Sequence, residues 1–129
     1  MKNFLTTISF LALILSMNPS YAKSCFEIKN IVDAQDCQYA TVVNPIRQKV
    51  EDEFHSLISA MTKRGSEGID SLNEAQKGWL MYSEYQCQFI ADEIGSEKGW
   101  KDQTSCLVYF SNDRLKTLRA IREDFDKQY

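Results

Sequence analysis

Four cysteines behind an apolar leader constrain this chain more than any other feature of its 129 residues. Residues 1–3 supply a short cationic start, residues 4–17 are almost purely apolar, and residues 18–22 form a polar exit with small side chains at Ser20 and Ala22. An apolar run of this length falls short of the ~20 residues that span a bilayer, and the pattern is typical of a secretory signal peptide. We expect cleavage after Ala22, which leaves a single domain of about 107 residues (129 − 22) in a periplasmic or secreted protein.

The cysteines predict two disulfides. Cys25, Cys37, Cys87 and Cys106 all follow the leader, and an even number of thiols in an oxidising compartment is typical of disulfide-bonded proteins. The alternative is a zinc site of four thiolates. Such a site usually has close cysteine pairs, whereas the spacings here are 12, 50 and 19 residues.

Four cysteines allow three pairings. Cys87 and Cys106 flank one predicted inter-helix loop, so we expect them to pair with each other, which leaves Cys25 with Cys37. One continuous helix would hold Cys25 and Cys37 about 18 Å apart, far beyond the ~6 Å between the Cα atoms of bonded cysteines. The chain must therefore bend between them, near residues 29–33.

Apolar residues recur at intervals of three and four along the mature chain, which predicts helices. One stripe indicates a helix over residues 45–63, with Pro45 in the first turn, where a missing N–H costs nothing. Ser71 and Glu74 form a capping box that predicts the start of the next helix, which ends at Gly95. The expected buried faces of these two helices are Ile46, Val50, Phe54, Leu57, Ile58 and Met61, and then Leu72, Ala75, Trp79, Tyr82, Gln86, Phe89 and Ile94.

Two further helices complete the pattern. Thr104 is positioned to cap a last helix, and a shorter helix is expected over residues 31–43, ahead of a break at Asn44 and Pro45. The last helix carries the stripe Leu107, Phe110, Leu115, Leu118, Ile121 and Phe125. The fold class is therefore all-α, a small disulfide-bonded bundle of three to four antiparallel helices. In the three-helix alternative, the first helix is kinked at Pro45.

The charge balance and the single histidine narrow the function. The net charge is −3, and removal of the leader with Lys2 gives 14 − 18 = −4, which disfavours nucleic acid and anionic membranes and favours a cationic protein partner. His55 has no nucleophile at a recognisable spacing, and most acids lie on polar helix faces, outside the apolar pocket that a catalytic acid needs. We therefore expect a binding protein and not an enzyme, with no cofactor and no metal site.

Trp100 is the aromatic residue that helical spacing does not assign to the core. It lies in a predicted loop over residues 95–103, beside Glu97 and Asp102. Large rigid aromatics in loops are common binding anchors, so we expect Trp100 and an acid such as Glu97 or Asp102 to contact the partner. The alternative is that Trp100 packs as a lid over the end of the bundle.

Two motifs in the second half of the chain resemble those of a known family. They read Ala75-Gln76-x-x-Trp79-Leu80-x-Tyr82-x-x-x-x-Cys87 and Cys106-Leu107-x-x-x-Ser111-x-x-Arg114-x-x-x-Leu118. Together they are similar to the signatures of the LprI-type lysozyme-inhibitor family of small exported bacterial proteins, and Cys25 and Cys37 resemble that family's first cysteine pair. The resemblance covers nearly the whole mature chain and is specific over about residues 72–118. Ser83 departs from it, since the family usually has an arginine there.

The resemblance implies a lysozyme inhibitor that acts by protein–protein contact. The alternative is a periplasmic binding or immunity-type module for an endogenous envelope protein. The motif residues that the resemblance singles out are Gln76, Trp79, Tyr82, Arg114 and Leu118. We expect Arg114 to be structural, with Glu84 as a candidate partner; the alternative role of Arg114 is direct contact with the target.

Overall fold

The fold is all-α, as the sequence predicts. A computed structural model describes residues 24–95 and 99–128, and every regular element within those ranges is helical. A 3-10 turn at Cys25–Glu27 precedes four α-helices, α1 (Ile31–Gln38), α2 (Asn44–Lys63), α3 (Ile69–Phe89) and α4 (Gly99–Gln128). Two π-helical segments, Tyr39–Val43 and Ile90–Ile94, follow α1 and α3 respectively. The predicted signal peptide lies outside the described residues, and none of the described helices has the length and apolarity that crossing a membrane requires.

Both expected disulfides are present. Cys25 bonds Cys37 and Cys87 bonds Cys106, with Cα–Cα distances of 5.6 and 5.5 Å. The bend that the first pair requires is also confirmed, because Asn30 has an extended backbone and caps α1 by accepting hydrogen bonds from the N–H groups of Val32 and Asp33. Disulfides persist in oxidising compartments, so these two bonds indicate an extracytoplasmic environment.

The break expected at Asn44 and Pro45 does not occur. Gln38 and Asn44 both keep right-handed helical dihedrals, so the π-helical segment joins α1 to α2 without an interruption. Within this segment the Asn44 N–H donates to the Tyr39 carbonyl, five residues back. Proline in a helix clashes with the carbonyl four residues earlier, here that of Thr41, and the wider π turn makes room for the ring.

The loop between α2 and α3 is a helix-terminating turn. Gly65 has a φ of +65°, and the N–H of Ser66 returns to the Met61 carbonyl at 3.0 Å, which is the left-handed ending that glycine favours. The capping-box prediction at Ser71 is wrong by three residues, because the N-cap is Gly68 and α3 starts at Ile69. Ile69 packs against the core, and the helical hydrogen bond from Leu72 N to Gly68 O forms at 3.1 Å.

The last helix starts five residues before the predicted cap. The Thr104 hydroxyl donates to the Trp100 carbonyl inside α4 at 2.9 Å, so Thr104 does not cap the helix. Gly99 is the first residue of α4 and lies against the preceding π segment. A Cβ at Gly99 would stand 2.3 Å from the Ala91 carbonyl oxygen, so only glycine permits this approach.

Two hydrophobic clusters form the core. The first joins Val50, Phe54, Leu57 and Met61 of α2 to Leu115 and Leu118 of α4, and the second groups Val43, Cys87 and Leu107. The stripe predicted on α2 is therefore confirmed. On α4, Leu107, Leu115 and Leu118 are buried, and Phe110 and Phe125 pack against the clusters. The α4 stripe is therefore confirmed except at Ile121, which is 38% exposed. The face predicted for α3 is wrong in part. Leu72 and Trp79 pack against the first cluster, but Tyr82, Phe89 and Ile94 are exposed. The buried residues of α3 are Gln76, Ser83 and Cys87.

Candidate functional site

Residues of the two sequence motifs meet in a polar network between three helices. Gln76 is buried; its Nε2 donates to Glu51 Oε1 at 3.0 Å, and its Oε1 accepts from Arg114 Nε at 3.0 Å. One amide thus connects a carboxylate on α2 to a guanidinium on α4. Trp79 lies alongside, with the Arg114 Cζ 6.0 Å from its ring centroid, and Leu118 is fully buried in the first core cluster.

Arg114 is held inside this network and not at the surface. It is partly buried, and burial lowers the pKa of its guanidinium, although arginine stays charged at neutral pH. Its Nη2 is buried and has no hydrogen-bond partner within the described residues. Glu84 is not its partner, so that expectation is wrong: Glu84 binds Arg47, and Gln76 accepts the Arg114 hydrogen bond.

A second polar cluster connects the first π segment to α3. The Tyr39 hydroxyl donates to Glu84 Oε1 at 2.9 Å, and Arg47 Nη1 donates to the same hydroxyl at 3.0 Å while it pairs with Glu84 Oε1. Burial raises the pKa of Tyr39; the Arg47 charge opposes that shift and the hydrogen bond to Glu84 adds to it. The Arg47 side chain is 19% exposed and that of Glu84 41%, so the carboxylate forms the outer side of the cluster.

Trp100 lies in the first turn of α4, and not in a loop, because the helix begins at Gly99. Its side chain is half-buried, and Lys101 Nζ lies 5.6 Å from its ring centroid. Asp102 is also half-buried on α4, while Glu97 lies outside the described residues. The structure therefore corrects the secondary structure expected around Trp100 and brings Trp100 and Asp102 into one helical turn.

A chain of glutamine side chains closes the end of the molecule next to Trp100. Gln35 donates to Gln103 at 3.3 Å, Gln103 donates to Gln88 at 2.8 Å, and Gln88 donates to Asp92 at 2.8 Å. With Trp100, these side chains line a recess of about 280 Å³. Because each amide binds the next, this series of hydrogen bonds links α1, α3 and α4.

His55 is exposed to solvent. Its side chain is 73% exposed, and its Nε2 lies 3.8 Å from Glu51 Oε2. That distance is longer than the hydrogen bond that orients a general base. Across the part of the chain that the structure describes, no three His, Cys, Asp or Glu side chains group as metal ligands would.

The outward side of α3 exposes four large side chains, of which Tyr82 and Phe89 were expected in the core. Met81, Tyr82, Tyr85 and Phe89 are 60, 57, 72 and 51% exposed, and we call these four residues the α3 aromatic face. The Tyr82 ring meets Phe110 of α4 edge-on, with centroids 5.5 Å apart. The sequence held a signal for this orientation, because Gln76, Ser83 and Cys87 share the spacing of a second helical stripe, one of small and polar residues.

The helix that carries the α3 aromatic face is also acidic. Residues 69–94, which comprise α3 and its π segment, contain five acids and one lysine, so their formal charge is 1 − 5 = −4. This equals the net charge expected for the whole mature chain. Of the five acids, Glu84 borders the α3 aromatic face directly, since it lines one groove with Met81 and Tyr85.

Comparisons of this chain with protein-family models, with curated proteins and with solved structures find no match. The LprI-type resemblance therefore rests on the residues that make up the two motifs. Their geometry is coherent, since Arg114 contacts both Gln76 and Trp79 and Cys87 is bonded to Cys106.

Proposed function

We propose that the mature chain is an exported binding protein that inhibits lysozyme, a peptidoglycan hydrolase, by protein–protein contact and performs no catalysis of its own. The α3 aromatic face carries this proposal. Its four residues are all more than half exposed on one helix of a small protein. Exposed apolar surface of this kind marks interaction sites, and aromatic side chains are typical anchors of protein interfaces.

The charge of α3 supports a cationic partner. The formal charge of −4 on residues 69–94 surrounds the aromatic side chains with a negative potential. Lysozymes of animal origin are usually cationic, and complementary charge raises the rate of association and disfavours acidic competitors. The LprI-type resemblance points to the same class of partner independently of this surface.

Export supports the same assignment. We place a signal peptide at residues 1–22, with cleavage after Ala22 and a mature protein in the periplasm or outside the cell. The two disulfides are what a chain in such a compartment requires. A lysozyme inhibitor acts where the enzyme meets the cell wall, which is the same side of the membrane.

The helices packed beneath the α3 aromatic face support it in a way that suits binding. We propose that α1 and α2 act as one long helix in an antiparallel bundle with α3 and α4. The order of contacts supports this arrangement: Gln35 meets Gln103 and Arg122 meets Ser56, so α4 runs in the same direction as α1 and α2. The Cys87–Cys106 bond clamps α3 to α4 beside the face, and a rigid surface loses less entropy on binding.

A lysozyme activity assay tests the proposal. The purified mature protein, in excess over a cationic animal lysozyme, should slow the clearing of a bacterial cell-wall suspension, and calorimetry should detect the complex. Full enzyme activity with no detectable binding would refute inhibition and favour a periplasmic binding or immunity-type module for an endogenous envelope protein. Clearing of cell walls by the protein alone would refute the non-catalytic assignment.

Trp100 is a second candidate contact, together with Asp102 and Glu97. It stays partly exposed at the start of α4, and tryptophan is enriched at interface hot spots. Trp100→Ala should weaken lysozyme binding if this end of the molecule takes part, whereas Glu67→Ala in the opposite loop should not. Unchanged affinity for Trp100→Ala in a protein that melts like the parent would eliminate Trp100 as an anchor.

A further inference from the structure

We infer that the α3 aromatic face holds a basic side chain of the partner in a groove lined by Leu80, Met81, Glu84 and Tyr85, which we call the Glu84 groove. This inference rests on the proposed function and specifies the residue that the partner presents. The groove measures about 380 Å³. Its residues lie at positions i, i+1, i+4 and i+5 of α3, so one helical turn positions them all.

The lining of the groove matches the two parts of a lysine or arginine side chain. Leu80, Met81 and the Tyr85 ring supply an apolar wall, which suits the aliphatic stem. Glu84 adds a carboxylate, which suits the charged head. Long basic side chains bury their stems along apolar surface while the charge binds a polar group.

The Glu84 carboxylate has capacity for a second cation. Both of its contacts within the protein, with Tyr39 and Arg47, are made by Oε1. Oε2 accepts no hydrogen bond from any described residue. An ionised carboxylate offers about four lone-pair sites, and Arg47 lies on its buried side, so the outer oxygen is open to a partner.

Tyr85 supplies the aromatic ring that would contact the basic side chain of the partner. Its ring and hydroxyl have no ring contact or hydrogen bond with any described residue, and it is the most exposed side chain of the face. Elsewhere in this protein, guanidinium groups lie 4.7–6.0 Å from aromatic centroids, as Arg47 does at Tyr39, Arg64 at Phe125 and Arg114 at Trp79. A cation over the Tyr85 ring would repeat this interaction with a residue from the partner.

The shape of the groove favours a protein side chain over a free small molecule. Small-molecule sites bury most of the ligand surface, whereas four residues of a single helix cannot enclose a ligand. A side chain delivered by a partner protein is covered on its other side by the partner itself. A second copy of this chain is a poorer occupant, because two segments 69–94, each with a formal charge of −4, would then meet.

Binding of a cationic animal lysozyme to three variants tests the inference. Tyr85→Ala should weaken the affinity by about 10-fold or more, which is the loss expected at an interface hot spot. Tyr109→Ala is the matched control, since Tyr109 is a tyrosine of nearly equal exposure, 68%, on α4, and its affinity should stay within about twofold of the parent. Glu84→Gln keeps acceptors for Tyr39 and Arg47 and should also weaken binding about 10-fold.

The outcomes separate this inference from the proposed function. If the parent binds lysozyme and Tyr85→Ala binds equally well, the groove assignment is overturned while the inhibitor proposal stands. If the parent shows no binding at all, both are overturned. Because Glu84 also stabilises Arg47, its variant is interpreted only if it melts within a few degrees of the parent. Tyr85 makes no such internal contact, so its result decides the matter if Glu84→Gln unfolds.

Discussion

At the scale of single residues, Gln76 and Arg114 show how a buried amide stabilises a partly buried charge. Gln76 accepts from Arg114 and donates to Glu51, so the three groups form one hydrogen-bonded path from α4 to α2. Arg114→Ala would leave the buried Gln76 Oε1 without this donor, and an unsatisfied buried acceptor costs about 1–3 kcal/mol. We expect that loss in the free energy of unfolding, measured by urea denaturation.

Arg119→Ala is the control for this measurement. Arg119 lies on the same helix, but it is 59% exposed and its Nε is 3.6 Å from Glu53 Oε2. Exposed ion pairs contribute about 0–1 kcal/mol, so its loss should be small. Equal losses for the two variants would contradict the structural role of Arg114, and an Arg114→Ala protein with full stability and no lysozyme binding would assign it to target contact.

The sequence predicted part of this network. The motif resemblance singled out Gln76, Trp79 and Arg114, while Glu84 was the candidate partner expected for Arg114. The actual partner is Gln76, 38 residues away in the chain, and it turns inward on a face that the aromatic residues had seemed to exclude. Which of two polar side chains an arginine meets depends on helix rotation, which local spacing does not determine.

At the scale of secondary structure elements, two glycines in helices have opposite roles. A Cβ at Gly99 would lie 2.3 Å from the Ala91 carbonyl oxygen, whereas a Cβ at Gly78 would meet nothing within 4 Å. Gly99→Ala should therefore destabilise the protein, by about 1–3 kcal/mol from overpacking. Gly78→Ala should stabilise it by about 0.4–1 kcal/mol, because alanine restricts the unfolded chain and favours the helix.

Thermal denaturation of the two glycine variants measures this contrast. The pair is matched in chemistry, since each adds one methyl group to a helical position. A Gly99→Ala protein as stable as the parent would show that α4 starts without its close contact to the π segment. This contact was not predictable from the local signals, because Gly95 and Thr104 predict a helix end and a helix start with residue 99 in the loop between them.

The face that a helix buries was predictable where the helix has a single strong apolar stripe. α2 has a single apolar stripe, so only one rotation of the helix buries it. α3 has two candidate faces, one of large aromatics and one with Gln76, Ser83 and Cys87. The Cys87–Cys106 bond and the Gln76 network turn the second face inward, and these are long-range constraints that no local pattern contains.

The two disulfides differ in what their removal should do. Their sequence separations of 12 and 19 residues close loops that contribute about 3 kcal/mol each in the chain-entropy model. Cys87 is also fully buried in the second core cluster, with Val43 and Leu107. The double variant of Cys87 and Cys106 to Ser should therefore lower the melting temperature more than the double variant of Cys25 and Cys37 to Ser. An equal or reversed order would contradict a packing role for the Cys87–Cys106 bond.

At the scale of the whole molecule, the charge is unevenly distributed. Residues 69–94 have a formal charge of 1 − 5 = −4, whereas residues 114–128 have five basic and three acidic side chains, or 5 − 3 = +2. A cationic partner should thus be steered toward α3 and its π segment. Steering acts on the association rate, while the aromatic contacts act mainly on the dissociation rate.

Association kinetics with lysozyme can separate these two effects. Asp92→Asn with Glu93→Gln removes two charges from the π segment that extends α3, and Asp124→Asn with Glu123→Gln removes two charges near the end of α4. Both double variants change the net charge by the same amount. Gly99 lies against Ala91 of the π segment, and residues 99 and 123 are about 36 Å apart along α4 at 1.5 Å per residue. This separation exceeds the Debye length of about 8 Å at physiological salt. The Asp92 and Glu93 variant should therefore slow association several-fold, and the Glu123 and Asp124 variant should leave the association rate nearly unchanged.

Tyr85→Ala should instead speed dissociation. Equal effects of the two charge pairs, or association that does not slow as salt is raised, would show that the charge on α3 does not guide the partner.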